Sequence, residues 1–173
     1  MKICESEFLD MIETLKAGDF IEYTGELLTM RDSAQRRIEE CLLTGKGMDL
    51  DLKDKIIFYA GPAKKPKNMI SGSIGPTTSM RMDRYLEMLF KLGVVATVGK
   101  GKRTDVVRDL CRKYRRVYFV TPSGASAYLA TKIEHIEVIA FHDLGPEAVH
   151  RLYVRNFPLL VYIDSHGETL NLV

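Results

Sequence analysis

The chain lacks any apolar run long enough to cross a bilayer, so no membrane-spanning helix is expected. Its start, Met1 to Lys16, interleaves acidic with apolar residues and has neither the basic opening nor the apolar stretch of a secretory leader. Cysteine is scarce: Cys4, Cys41 and Cys111 form an odd set with no short spacing, which argues against a secreted disulfide framework. These absences lead us to expect a cytoplasmic, soluble domain. The net charge is only +2, so no broad basic field calls for a nucleic-acid partner. Low-complexity tracts, internal repeats, a nucleophile elbow, a P-loop and a dinucleotide fingerprint are all missing. His135, His142, His150 and His166 are scattered without metal-ligand spacing, and no metal site built from this chain is expected.

What is present suits one compact domain. A chain of 173 residues, 46% hydrophobic and 28% charged, can bury a core without disulfide or metal staples. Short β-branched or aromatic runs alternate with amphipathic helical windows, which reads as α/β. Strands are expected at Phe20 to Tyr23, Lys55 to Ala60, Val94 to Val98, Val117 to Thr121, Ile136 to Phe141, Leu152 to Val154 and Leu159 to Ile163. Helices are expected at Ser6 to Leu15, Asp32 to Leu43, Ser79 to Leu92, after Arg103, and at Ser123 to Lys132. Ala34, Ile38, Cys41 and Leu42 form one inward face, and Val106, Val107, Leu110 and Cys111 another. Residues 1–14 read as an N-terminal extension with a short helix, and 15–173 as the domain proper.

Three strand-to-helix junctions look chemical. The longest irregular stretch, Ala63 to Ser79, contains Gly72, Gly75, Thr77 and Thr78 and runs into a helix start. There, free N–H groups favour an anion, and Arg81 lies four residues after Thr77. An ordinary N-cap by Thr78 or Ser79 with a solvated Arg81 is the plain alternative. Arg31, before the N-cap candidates Asp32 and Ser33, is either a group reaching into a cleft or an exposed side chain. Gly99-Lys100-Gly101 follows a strand, as an anion cradle or a basic turn. The basic run from Lys100 to Arg116 lacks the interleaved aromatics of single-strand binders. Three thiolates are the number a four-iron cluster with one open iron needs. Cys41 and Cys111, however, fall on apolar helix faces and read as packed core thiols.

The block Gly75-Pro76-Thr77-Thr78-Ser79-Met80-Arg81-Met82-Asp83 resembles the G-P-T-T-x-x-R-M-D signature of the β region of class I fumarases and L-tartrate dehydratases. Leu15 to Asp19, Arg31-Asp32, Tyr59 to Pro62, Gly99 to Gly101, Asp143 to Ala148 and Phe157-Pro158 match further blocks in the family's order, from about Leu15 onward. The resemblance implies a single domain of the swivelling β/β/α type, a mixed sheet with flanking helices. It also implies a β subunit of an iron–sulfur hydro-lyase. The expected reaction is fumarate hydration to (S)-malate; dehydration of L-tartrate or a related hydroxy-dicarboxylate is the alternative. A 4Fe-4S cluster would be ligated by a cysteine-bearing α subunit, in a heterotetramer of two α and two β chains. By position, Arg31, Arg81 and Lys100 would grip the substrate carboxylates, with Thr77 and Thr78 beside the proton removed from carbon. Two departures stand out: Gln35, where many relatives carry His, and Met80, often a small residue. A stand-alone anion- or nucleic-acid-binding module is the reading from a different class.

Overall fold

The computed structural model describes residues 1–170; the last three residues of the domain expected over 15–173 lie outside the described residues. Strands β1 (Lys2–Cys4), β2 (Phe20–Thr29), β3 (Ile56–Phe58), β4 (Ala96–Gly99), β5 (Val117–Val120), β6 (Ile133–Ala140) and β7 (Val149–Ile163) form one sheet in the order β1-β2-β3-β4-β5-β7-β6. The mixed α/β domain has the expected mixed sheet: β2 to β5 run parallel and β7 antiparallel to its neighbours. A further β2–β7 pairing closes β2, β3, β4, β5 and β7 into a ring. The closure satisfies backbone groups that an open sheet would leave on its edge strands.

The helices are α1 (Glu5–Met11), α2 (Asp32–Thr44), α3 (Leu86–Lys91), α4 (Asp105–Tyr114) and α5 (Ser126–Ala130), with 3₁₀ helices at Ser79–Tyr85 and His142–Glu147. Strand alternation divides the core in two. Ile56 and Phe58 of β3 and Ile21 and Tyr23 of β2 face the ring interior, which α1 and α5 supplement with Phe8 and Leu129. Ile57 and Leu28, on the opposite face, pack under Ile38 of α2, Leu86 and Leu89 of α3 and Val107 of α4. Helices α2, α3 and α4 thus cover one outer face of the closed ring.

Several expectations shift. Residues 1–14 are woven into the fold: β1 pairs with β2, and Ile3, Phe8 and Ile12 are buried. The two C-terminal strands are one, β7, whose Asn156 takes a left-handed φ of 49° and whose Pro158 pairs with Glu22. A turn-like Asn-Phe-Pro therefore sits in a strand as an irregularity rather than an end. The helix expected from Ser79 to Leu92 opens as a 3₁₀ run in which Ser79, Met82 and Tyr85, three apart, are buried together. On α2 the inward face ends at Ile38; Cys41 is half-buried and Leu42 exposed, because α2 runs past the core there. Val106 is exposed as well, since the α4 stripe is set by Val107, Leu110 and Cys111.

Candidate active site

Parallel strands deliver their carboxyl ends to one mouth, where open α/β sheets also bind ligands. Thr29 of β2 is level with Phe58 of β3, Phe58 with Val98 of β4, and Gly99 with Val120 of β5. Arg31, Ala60-Gly61 and Lys100 therefore leave neighbouring strands at the same end. The segment Pro76 to Ser79 is laid across it. Pro76 bridges Ala60, Thr77 N–H donates to Tyr59 O at 2.7 Å, and Thr78 bridges Lys100. All five residues singled out from sequence (Arg31, Thr77, Thr78, Arg81 and Lys100) gather here.

Their side chains are held by specific partners. Arg81 Nη2 donates to Thr77 Oγ1 at 3.0 Å and lies 3.2 Å from Asp32 Oδ2. Arg31 Nη2 lies 3.3 Å from Glu147 Oε1, while Ser33 N–H donates to Glu147 Oε2 at 3.1 Å. Hydrogen bonding from Ser33, helped by the charges of Arg31 and Arg81, holds the Glu147 carboxyl below the usual range. Gly61 is needed where it stands: a Cβ there would meet Pro146 O at 2.5 Å and Arg31 Cδ at 3.2 Å. Thr77, Arg31 and Lys100 are half-buried, and Thr78 and Arg81 are exposed. Thr78 caps no N–H through its side chain, and the helix start beneath it is 3₁₀. The anion-attracting α-helix dipole expected there is correspondingly short.

Hydrogen bonds from Ser79 and Tyr118 fix the Lys100 loop. Ser79 N–H donates to Lys100 O at 3.3 Å, and Lys100 N–H donates back to Ser79 Oγ at 3.0 Å. Tyr118 Oη lies 3.0 Å from both Ser79 Oγ and Gly101 O, and burial pushes its pKa up to about 12, so it remains a donor. Arg103 is wholly buried in its side chain, its guanidinium 5.3 Å from the Tyr59 ring centre and 4.6 Å from that of Tyr118. Its Nε donates to Asp83 Oδ1, whose other oxygen accepts Thr104 N–H at 2.9 Å and Thr104 Oγ–H at 2.8 Å. Burial works against the Arg103 charge, which Tyr59 and Asp83 sustain. Sequence reasoning missed Asp32, Asp83, Arg103 and Glu147 as members of this region; Asp32, Asp83 and Glu147 each lay in a block that resembles the family's, whereas Arg103 carried no signal beyond its place in a basic run. Gln35, the departure noted in sequence, is fully buried one turn beyond Arg31, its amide atoms unpartnered among the described residues.

The cysteines do not fit an iron–sulfur cluster. Cys4, Cys41 and Cys111 lie on β1, α2 and α4, and no group of three or more His, Cys, Asp or Glu able to hold a metal occurs among the described residues. The basic run is dispersed too: Arg103 is internal, Lys113 pairs with Glu87 at 2.8 Å, and Arg112 donates to His166 O at 3.0 Å. Among the described residues no helix is long and apolar enough to cross a membrane.

This arrangement can be set beside known proteins. The chain is 39% identical over 165 residues to the putative L(+)-tartrate dehydratase subunit beta of Methanocaldococcus jannaschii, covering 92% of this chain and 85% of that one. It is 37% identical over 164 residues to the L(+)-tartrate dehydratase subunit beta of Escherichia coli, covering 92% and 80%. It is also 36% identical over 164 residues to the anaerobic class I fumarate hydratase of Escherichia coli, covering 94% of this chain but only 30% of that enzyme's length. The family model described as the fumarase C-terminus matches residues 1–171, and the chain belongs to that family.

Proposed function

We propose that this chain is the β subunit of an iron–sulfur-dependent hydro-lyase that adds water to, or removes it from, a four-carbon dicarboxylate. The observation that carries the reading is the meeting of two arginines, a lysine and two threonines at one mouth of the ring. A dianion needs more than one cationic anchor to fix its orientation, and planar guanidinium forks match carboxylates. Arg31, Arg81 and Lys100 serve as those anchors. Thr77 lies nearest the carbon-bound proton, with Thr78 beside it. An aliphatic hydroxyl is a poor base, but Thr77 Oγ1 accepts a hydrogen bond from the Arg81 guanidinium, which stabilises its deprotonated form. The cluster is assigned to a cysteine-bearing α subunit, in keeping with the dispersed thiols of this chain. The enzyme is a cytoplasmic heterotetramer of two α and two β chains.

Fumarate hydration is the reaction proposed first. L-Tartrate dehydration is retained because the relatives that this chain covers at 80–85% of their length carry that name. Co-production with a cysteine-bearing partner, followed by anaerobic assay against fumarate and L-tartrate, tests both. Neither purified chain is expected to turn over substrate alone, and the mixture is expected to convert one of the two. Turnover by this chain unaided would overthrow the division of labour. Salt-sensitive nucleic-acid affinity indifferent to the partner would point instead to a binding module.

A further inference from the structure

A cation wholly enclosed between two tyrosine rings is a costly way to fill space. Buried ion pairs contribute little net stability compared with apolar residues of the same volume, because desolvation offsets most of their attraction. Arg103 is such a cation: its side chain is inaccessible, Nε is bound to Asp83, and both Nη atoms are without acceptors among the described residues. Methionine or leucine would serve packing alone as well. What the apolar pair would lose is direction. Asp83 belongs to the same 3₁₀ run as Arg81, two residues on, whereas Arg103 and Thr104 end the loop that begins at Lys100. Ser79, two residues before Arg81, takes hold of the front of that loop through both polar groups of the Lys100 backbone. The Tyr118 hydroxyl, on a ring that stacks on Arg103, meets Ser79 Oγ and Gly101 O. Both ends of the loop are thus tied to the two sides of Arg81.

We propose that Asp83 and Arg103 are a positioning pair that fixes Lys100 relative to Arg81, so that the two cations offer a preset spacing to a dicarboxylate. The inference rests on the reading of Arg81 and Lys100 as carboxylate anchors. Neither Asp83 nor Arg103 touches substrate; each acts through the loop. The spacing matters because a dianion met by two cations at the wrong separation loses one of the charge-assisted contacts that bind it.

The test replaces the pair with apolar residues, Asp83→Leu with Arg103→Met, in the full chain and in the assembled two-subunit enzyme. Two readouts are taken once the melting temperature shows that the fold is kept. In the full chain, hydrogen exchange at the Lys100 amide should accelerate about tenfold or more, since its bond to Ser79 Oγ is no longer braced. In the assembled enzyme, KM for the dicarboxylate should rise about tenfold with kcat within about twofold of wild type, the mark of a lost binding interaction. A merely structural pair would lower the active fraction, and hence kcat, without moving KM. Unchanged exchange at Lys100 in a folded variant overturns the proposal whatever KM does. Faster exchange with unchanged KM supports the positioning of Lys100 and overturns its role as an anchor. Should the apolar pair fail to fold, Arg103→Lys keeps the charge against Asp83 but loses the planar fork between the rings. It should move both readouts in the same directions by a smaller factor, and no movement in either would overturn the proposal.

Discussion

Replacing Gly99 by alanine should destabilise the chain by about 4 kcal/mol, and removing a single oxygen elsewhere should recover about 1 kcal/mol of that loss. Gly99 ends β4 and is not in the left-handed region, so the backbone itself accepts alanine. The cost is steric: a Cβ at Gly99 would lie 1.8 Å from Ser79 Oγ, with Ser79 Cβ and Tyr59 Cδ2 both at 3.1 Å. Ser79 is fully buried and cannot swing into solvent. Overpacking of this kind costs about 1–3 kcal/mol. Displacing the hydroxyl also breaks its bonds to Lys100 N–H and Tyr118 Oη, at about 1 kcal/mol each. For a chain of 173 residues, about 4 kcal/mol lowers Tm by roughly 10 °C. Ser79→Ala alone should cost about 2 kcal/mol, through the two bonds only. The double variant should cost about 3 kcal/mol, well short of the sum of the singles, because the clashing oxygen is gone. Urea unfolding of the wild type, both single variants and the double variant reads the cycle directly. A Gly99→Ala chain within about 0.5 kcal/mol of wild type, or strict additivity in the cycle, would refute the packing described around Lys100.

Four further outcomes follow from the site and its surroundings. Arg81→Lys should lower turnover of the assembled enzyme at least about tenfold, because the fork that reaches Thr77 and Asp32 becomes a point charge; steady-state kinetics measures it. Thr77→Val, nearly isosteric, should abolish exchange of the substrate's carbon-bound proton with solvent, as followed by NMR in deuterated buffer. Burial pushes the Cys111 thiol up to about 12, so native-state alkylation should reach exposed Cys4 first and Cys111 only on unfolding, as read by peptide mass spectrometry. Burial also lowers the His150 pKa below its ordinary 6.5, so the unfolded chain binds the extra proton first. Stability should therefore fall as pH drops below about 6.5, and His150→Gln should flatten that part of a pH series of Tm values.

Local features of the fold were readable because they depend on residues near one another in sequence. The runs Lys55 to Ala60, Val94 to Val98 and Val117 to Thr121 announced three parallel strands within a residue or two. Lys100 stood out because it closely follows such a strand, and Arg31 because it stands just before the N-cap candidates Asp32 and Ser33. Ring closure was not readable, since it rests on the antiparallel register of Phe20 with Leu160 and Thr29 with His150, more than a hundred residues apart. Arg103 was hidden for the same reason. In sequence it is one more base in a basic stretch, and Tyr59, just past β3, and Tyr118, in β5, make it internal. Cys41 and Leu42 misled because their helical spacing was apolar although the core ends at Ile38. Periodicity reports which residues share a face and is silent on how far the opposing surface extends.

The charges at the mouth bear on the second subunit proposed for this chain. Arg31 faces Glu147 and Arg81 faces Asp32, whereas Lys100 has no carboxylate within ion-pair distance among the described residues. Three cations less two carboxylates leave one net positive charge for a ligand carrying two negative ones. The acidic partners therefore do not prepare this chain to hold a dianion by charge alone. Each is met through a single Nη atom of its arginine, which leaves the rest of the fork for another acceptor and fixes the direction in which that fork points. On the proposed reading, orientation is what this chain contributes, through Asp32, Glu147, Ser79 and the enclosed Asp83–Arg103 pair. On the same reading, the remaining positive charge is expected from the partner subunit.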